Sequence, residues 1–352
     1  MIALAADLDR LPPYEQDLTT AQRERVERLL AGPVVSLHDH PVRLPDPLTP
    51  QTWAEHSHAG ADRLGHAGLR ASGLDVVLAS SLAEPDQERL LRWAARLRAD
   101  IDEDVDPDGP RILLALEDLG SIGTDLDGIV DLQVAGYRSA GLAYNTGNAL
   151  GGGLGQAQDD GLTILGREAV AVMNGLGMLV DLSHVGDRTS IDAARVSSAP
   201  VVITHAGARA CWPSPRMKPD DVLRAVADTG GVIGVEAAPG STRVDGRPAH
   251  DLDAVMTHVA YIAELVGVDH VGLGPDTFFG DHAGLYAAAG WSPQPVPGRE
   301  DVPLPDHVVG MENPAEAPRN AAGWLVRHGW SDEDISKILG ANAQRVLEEV
   351  LR

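Results

Sequence analysis

Eight short apolar segments rich in β-branched residues recur along the chain, at residues 33–38, 74–79, 111–117, 141–145, 178–184, 200–205, 231–236 and 270–276. Between them lie stretches whose apolar residues return with helical period, such as 87–98 and 167–176. Strands alternating with helices predict a parallel sheet with helical crossovers. Eight such units are the number that closes a (β/α)8 TIM barrel. The competing open doubly wound sheet would carry a G-x-G-x-x-G turn opening a helix after its first strand, and none is present. The pattern predicts one α/β barrel domain over 1–352, with strands within 33–276, a loop or lid at 277–317 and C-terminal helices at 318–352.

The flanks add detail. Residues 19–30 predict an N-terminal helix with Thr20 as its N-cap, placed to close the bottom of the barrel. Ser331 opens an S-x-x-D start with Asp334, and Ile335, Ile338, Leu339 and Val346 follow at helical spacing, predicting a terminal packing helix. The segment 278–317 is rich in Gly and Pro without a clear period, and its place after the eighth strand suggests a lid or subunit contact. A glycine cluster at 151–153 and 155 follows the fourth strand.

Composition removes several classes of function. A formal charge of −24 repels a phosphate backbone, so nucleic acid is not an expected partner. No run approaches the ~18 apolar residues that span a bilayer, so no membrane partner is expected. The opening MIALAADLDR lacks the basic region of a secretory signal, and the expected location is cytoplasmic. Cys211 is the only cysteine, which excludes an intrachain disulfide and a Cys-based zinc cluster. Beside Trp212 it is expected to pack, and any metal must be held by His and carboxylates.

In a barrel of this kind the chemistry sits where strands end. The first segment ends His38-Asp39-His40, and alternation turns both imidazoles to one side with Asp39 opposite. The third ends at Glu117, the fifth at His184 and the sixth at His205. Each alone reads equally as a hydrogen-bonded core or helix-terminal residue. Four His and one Glu gathered at one mouth instead suggest two nearby divalent ions bridged by the carboxylate. Asp276, ending the eighth segment, is a candidate proton-transfer base or a loop-initiating Asp. Tyr144 and Asn145 end the fourth segment, where either could hydrogen-bond a substrate carbonyl or pack. Arg216, after the sixth strand, is a candidate carboxylate clamp or a solvated Arg. Glu236, ending the seventh, has no assigned role.

These motifs resemble the membrane (renal) dipeptidase family of the metal-dependent amidohydrolase superfamily. The resemblance is carried by GLTILGREAVAVMNGLGMLVDLSHVGDRTSIDAA, PVVITHAGARA, PRMKPDDVLRAVADTGGVIGV, VGVDHVGLGPD and GMENPAEA, colinear from His38 to the C-terminal helix. It implies a (β/α)8 barrel with two divalent metal ions, zinc above all, usually in a homodimer. The implied activity is dipeptide hydrolysis tolerating a D-residue at the C-terminal position. By position, His38, His40 and Glu117 would bind one ion, and Glu117, His184 and His205 the other. Asp276 matches the proton-transfer Asp and Arg216 the Arg that binds the substrate's terminal carboxylate.

Three departures stand out. His40 replaces the family's common Asp, removing one negative charge from the first ion's shell. Tyr144 stands where the renal enzyme has a His, and Met217 where Asn is frequent. The expected chemistry is hydrolysis by a binuclear-metal-activated hydroxide, with Tyr144 helping to hold the oxyanion and Asp276 protonating the departing amine. The departures keep open a related amidohydrolase acting on a non-dipeptide amide, lactam or lactone, including one in a biosynthetic pathway. A metal-bound but inactive binding barrel is the reading from another class, against which the retained ligand set weighs.

Overall fold

A computed structural model describes residues 2–8, 10–82, 86–104, 109–292, 296–299 and 301–351. Eight parallel strands, β1 (Val35–Arg43), β2 (Val76–Ser81), β3 (Arg111–Leu116), β4 (Tyr137–Gly141), β5 (Leu179–Asp181), β6 (Val202–Ala206), β7 (Val232–Val235) and β8 (Val271–Leu273), pair in chain order. β1 pairs with both β2 and β8, so the sheet closes into the expected (β/α)8 TIM barrel. A ninth, two-residue strand, β9 (Phe278–Phe279), pairs with the far end of β1, opposite His40 and Arg43.

The two-residue period explains why both strand faces are apolar. Leu78, Leu113, Leu179, Val202 and Val232 form one buried cluster, while Val77, Leu114, Val180, Ile203 and Ile233 belong to a second, larger one shared with the helices. Alternate residues thus fill the barrel and the barrel–helix layer. In β1 the register shifts between Ser36 and Asp39. That extra residue lets Val35 and Leu37 join the inner cluster while His38 and His40 face each other above it. β6 shifts in the same way between Ile203 and Ala206, around His205.

Three expectations are corrected. The fourth strand is Tyr137–Gly141, not 141–145, because the β-rich YRSAG stretch pairs with β3 and β5 while Tyr144 and Asn145 lie in the loop beyond. The N-terminal helix, Thr20–Leu30, is capped by Thr19, whose side chain accepts from Gln22 N–H while the Gln22 side chain returns to Thr19. That helix does not close the barrel: it packs on the Ala317–Arg327 helix, and Arg25 reaches the Trp330 carbonyl. Closure falls to the last helix, Asn342–Val350, whose Ala343, Val346, Leu347 and Val350 join the cluster inside the strands. Asn342 Nδ2 pins it by donating to the Val268 and Val271 carbonyls at 2.7 and 2.9 Å. Ser331 caps the helix Asp332–Ser336 as expected.

The segment 278–317 is partly structured. After β9, Asp281 caps a helix over His282–Ala289, and Trp291 meets Trp53 edge-on at 6.2 Å. Its residues 293–295 and 300 lie outside the described residues. Among the described residues, no helix is long and apolar enough to cross a membrane.

Candidate metal centre

Every strand end that carries a candidate ligand opens on the same mouth. His38 and His40 come from β1, Glu117 follows β3, His184 lies three residues past β5, and His205 is in β6. All five are buried. Glu117 lies between the two pairs of imidazoles. Its Oε1 is 3.4 Å from His40 Nε2, while its Oε2 is 3.4 Å from His184 Nε2 and 4.0 Å from His205 Nε2. Donor atoms of His38, His40 and Glu117 cluster within 4.8 Å of one another, and so do those of Glu117, His184 and His205.

The hydrogen bonds around the ring decide which nitrogens face inward. His40 Nδ1–H donates to the Ser80 carbonyl at 2.9 Å, and His184 Nδ1–H donates to Asn145 Oδ1 at 2.9 Å. Thr204 donates its hydroxyl proton to Asp181 Oδ2 at 2.7 Å, so its oxygen accepts from His205 Nδ1–H at 2.8 Å. The neutral His184 and His205 rings therefore present their Nε2 lone pairs to the interior. Yet His184 and His205 Nε2 stand 3.0 Å apart. Lone pairs opposed at that distance repel unless they share a cation. Glu117 Oε1 is likewise buried without a hydrogen-bond partner among the described residues. Both observations fit a donor set built for divalent ions, with outer hydrogen bonds fixing each imidazole.

Electrostatics follow from burial. Burial pushes the Glu117 carboxyl up to about 8, against the opposing pull of His40. Burial also holds His184 and His205 well below the usual imidazole range, in the neutral form that ligates metals. For His40, burial is outweighed by the Asp276 hydrogen bond and the charges of Glu117 and Asp276, which raise it to about 9.

Asp276 joins this group. Its Oδ1 lies 3.3 Å from His40 Nε2 and 3.5 Å from His38 Nε2. It is the one non-glycine residue at positive φ among the described residues, at 58°. Such a conformation is uncommon outside glycine, though Asp tolerates it, and here it turns the carboxylate into the mouth. The backbone holding it is anchored on both sides: Asp276 N–H donates to the His38 carbonyl, and Thr277 donates its N–H and hydroxyl to Asp39 Oδ1 at 3.0 and 2.7 Å. Asp39, the residue expected to face away from the ligands, also accepts from Ser36 at 2.5 Å.

The remaining candidates divide. Tyr144 stacks on His184 with ring centroids 4.1 Å apart, and its hydroxyl has no hydrogen-bond partner among the described residues. Asn145 holds His184. Their loop reaches the site because Gly153 lets the chain pass close: a Cβ there would lie 2.0 Å from the Tyr144 carbonyl oxygen. Arg216 is buried, not solvated, and its Nη2 donates to Glu236 Oε2 and, at 2.8 Å, to the His205 carbonyl, while Nη1 donates to the Ser183 carbonyl at 3.2 Å. Burial raises the Glu236 carboxyl to about 7, with Arg216 working the other way. Cys211 packs against the core as expected.

Sequence reasoning passed over three residues. Asp181, in the same VDLSH stretch as His184, orients Thr204 and Ser183, and an acid inside an apolar strand was the available signal. Lys218 is fully buried, donating to the Val185 carbonyl at 2.5 Å. Tyr286 comes from the 282–289 helix, in a ladder of rings from His40 through Phe278 and His282 at centroid spacings of 4.4, 4.8 and 5.5 Å. Burial and then the charges of Asp276 and Glu236 raise its phenol, which remains protonated.

A closed parallel barrel that gathers four imidazoles and a carboxylate at its strand ends puts them where barrels of this kind carry their chemistry. The model of the membrane dipeptidase family (peptidase family M19) matches residues 51–286, and the chain belongs to that family. A dipeptidase, tcpJ, of Claviceps purpurea is 37% identical over 190 residues, a match spanning 54% of this chain and 39% of that relative's length. Among solved structures, an amidohydrolase from Pseudomonas aeruginosa superposes with a TM-score of 0.75 at 23% identity, over 93% of this chain and 99% of that one. A metallopeptidase from Rhodobacter sphaeroides, bound to a phosphinate mimic of the dipeptide L-Ala-D-Ala, gives 0.66 at 20% identity, over 90% and 99%. These two likenesses establish the fold.

Proposed function

We propose that this chain is a metal-dependent dipeptidase with two divalent ions, zinc in the first instance. The observation that carries this is Glu117, whose two carboxylate oxygens each face a different pair of imidazoles. His38, His40 and Glu117 would hold one ion; Glu117, His184 and His205 the other. Bound there, the ions would supply Lewis acidity that polarises a scissile carbonyl and makes water nucleophilic near neutral pH.

The chain's own groups do the rest. Asp276 takes a proton from the attacking water and returns it to the leaving amine. The Tyr144 hydroxyl, unpartnered and kept protonated by burial, donates to the developing oxyanion. Asn145, Ser80, Thr204 and Asp181 orient the imidazoles. Arg216 is the proposed partner of the substrate's terminal carboxylate. The phosphinate-bound relative supports tolerance of a D-residue at the C-terminal position. We further propose that residues 1–352 act as one barrel domain, in the cytoplasm and as a homodimer.

The test is ninhydrin-detected hydrolysis of L,L and L,D dipeptides by metal-loaded protein, beside a chelated control and a count of bound metal. Two ions per chain and turnover abolished by chelation are expected. Full metal content without turnover of any dipeptide would overturn the substrate assignment.

A further inference from the structure

A recess opens at the rim of the mouth, on the side of β1 and β2, and two helices frame it. Along Gln87–Glu103, Arg89, Arg92, Trp93 and Arg96 recur at helical spacing on one face, and along Pro50–Ala59 Trp53 and Ser57 do the same, continued by Gly60. The two faces border a cavity of about 260 Å³ that is also lined by His40 and by Ser80 and Ser81 at the end of β2. Cavity and candidate metal centre thus share His40. The charge of the recess is opposite to that of the chain: in a protein of formal charge −24, its lining carries three guanidinium groups against one carboxylate, Asp62. That carboxylate is committed, accepting from His56 Nε2–H at 2.9 Å. Arg96 is held through Nη1 alone, which donates to the Gly60 carbonyl at 2.8 Å. Its seat depends on glycine, since Gly60 has φ 54° and a Cβ there would lie 1.4 Å from that nitrogen. The Nε/Nη2 edge of Arg96, which can grip a carboxylate bidentately, makes no hydrogen bond among the described residues. Arg92 donates to Glu88 on its own helix, in an exposed pair whose side chains are 48% and 78% accessible, a contact of small worth that a better-placed anion displaces.

We infer that this recess receives the side chain of a substrate's N-terminal residue and selects an acidic one, with Arg92 and Arg96 as the specificity-determining residues. The inference rests on the dipeptidase reading and narrows its substrate class. In a closed barrel whose strands pair in chain order, β2 lies across from β6. A dipeptide whose terminal carboxylate points to Arg216, after β6, therefore turns its other residue toward β1 and β2. Trp53 and Trp93 supply apolar walls for the methylenes, and the guanidinium groups take the carboxylate at their end. A lysine side chain would instead meet three like charges and a single carboxylate already engaged by His56.

The experiment compares L-Glu-L-Ala with its uncharged isostere L-Gln-L-Ala and with L-Lys-L-Ala, using metal-loaded full-length protein. L-Glu-L-Ala should show a kcat/KM about tenfold above L-Gln-L-Ala, the size expected of a charge-assisted hydrogen bond in partial contact with water, with L-Lys-L-Ala the poorest of the three. In the double variant Arg92→Gln with Arg96→Gln, at two exposed helix positions, the preference for Glu over Gln should fall to within about twofold, chiefly through a raised KM for L-Glu-L-Ala. An acid at the second position should gain nothing, so L-Ala-L-Glu is expected to match L-Ala-L-Gln. A second readout needs no turnover: calorimetric binding of L-glutamate against L-glutamine, tighter for L-glutamate in the wild-type protein and equal in the double variant. Equal kcat/KM for the Glu and Gln dipeptides, a preference that survives the double variant, or one confined to the second position would overturn the inference. If no dipeptide is cleaved the dipeptidase reading falls, while tighter L-glutamate binding that the double variant loses would still uphold the recess as an acid-binding site.

Discussion

His258 gives a prediction whose size can be worked out from the structure. Its Nδ1 accepts the Ala208 N–H at 2.9 Å and its Nε2–H donates to the Arg243 carbonyl at 2.7 Å, so both nitrogens are committed in the neutral ring. A second proton would cost the Ala208 bond and charge a group with no solvent exposure. Burial lowers its pKa to about 4, only partly offset by the Arg243 bond. The folded state thus binds fewer protons than the unfolded one between about pH 4 and 6.5, and stability rises with pH across that window. At about 1.36 kcal/mol per pKa unit, the neutral ring contributes stability at pH 8 of which about 2 kcal/mol is lost by pH 5. His250, held to about 3 by burial, titrates in the same direction, so the wild-type curve alone does not isolate His258. The informative comparison is His258→Gln, which cannot titrate. Urea unfolding at pH 8 and pH 5 should show the difference between wild type and variant shrinking by about 2 kcal/mol, whatever its size at pH 8. Parallel stability curves would refute the assignment of a neutral buried His258.

Two further predictions concern the site. Asp276→Asn should lower kcat at least a hundredfold while leaving the metal count unchanged, because Asn tolerates the positive φ and keeps the bonds that Thr277 makes to Asp39; near-normal kcat would remove Asp276 from proton transfer. Arg216→Ala should destabilise the fold by about 3–5 kcal/mol by stranding Glu236, and the double change Arg216→Met with Glu236→Leu should recover most of that loss in urea unfolding. Equal losses for single and double variants would show that the pair is not coupled.

Much of this was legible from period and position. Strand count, barrel class and the gathering of the candidate ligands follow from apolar runs that end in His, Glu or Asp, because a parallel barrel turns every such end to one face. What stayed hidden depended on contacts distant in sequence. The amphipathic helix at 20–30 and the one at 342–350 carry the same kind of pattern, and nothing in either says which faces the barrel floor and which the Ala317–Arg327 helix. The fourth strand was displaced because Leu142 and Ala143 extend its apolar run past the point where pairing stops. Arg216 meeting Glu236 is a contact across 20 residues and two strands, beyond the reach of any local signal.

The bond from Thr277 to Asp39 makes one mechanical unit of the strand that carries His38 and His40 and the turn that carries Asp276. The proposed ligand cage and proton shuttle therefore move together: a displacement of β1 carries Asp276 with it. For anyone transplanting this centre into another barrel, residues 36–40 and 274–279 form a single cassette, and grafting the histidines alone would leave Asp276 without its bearing.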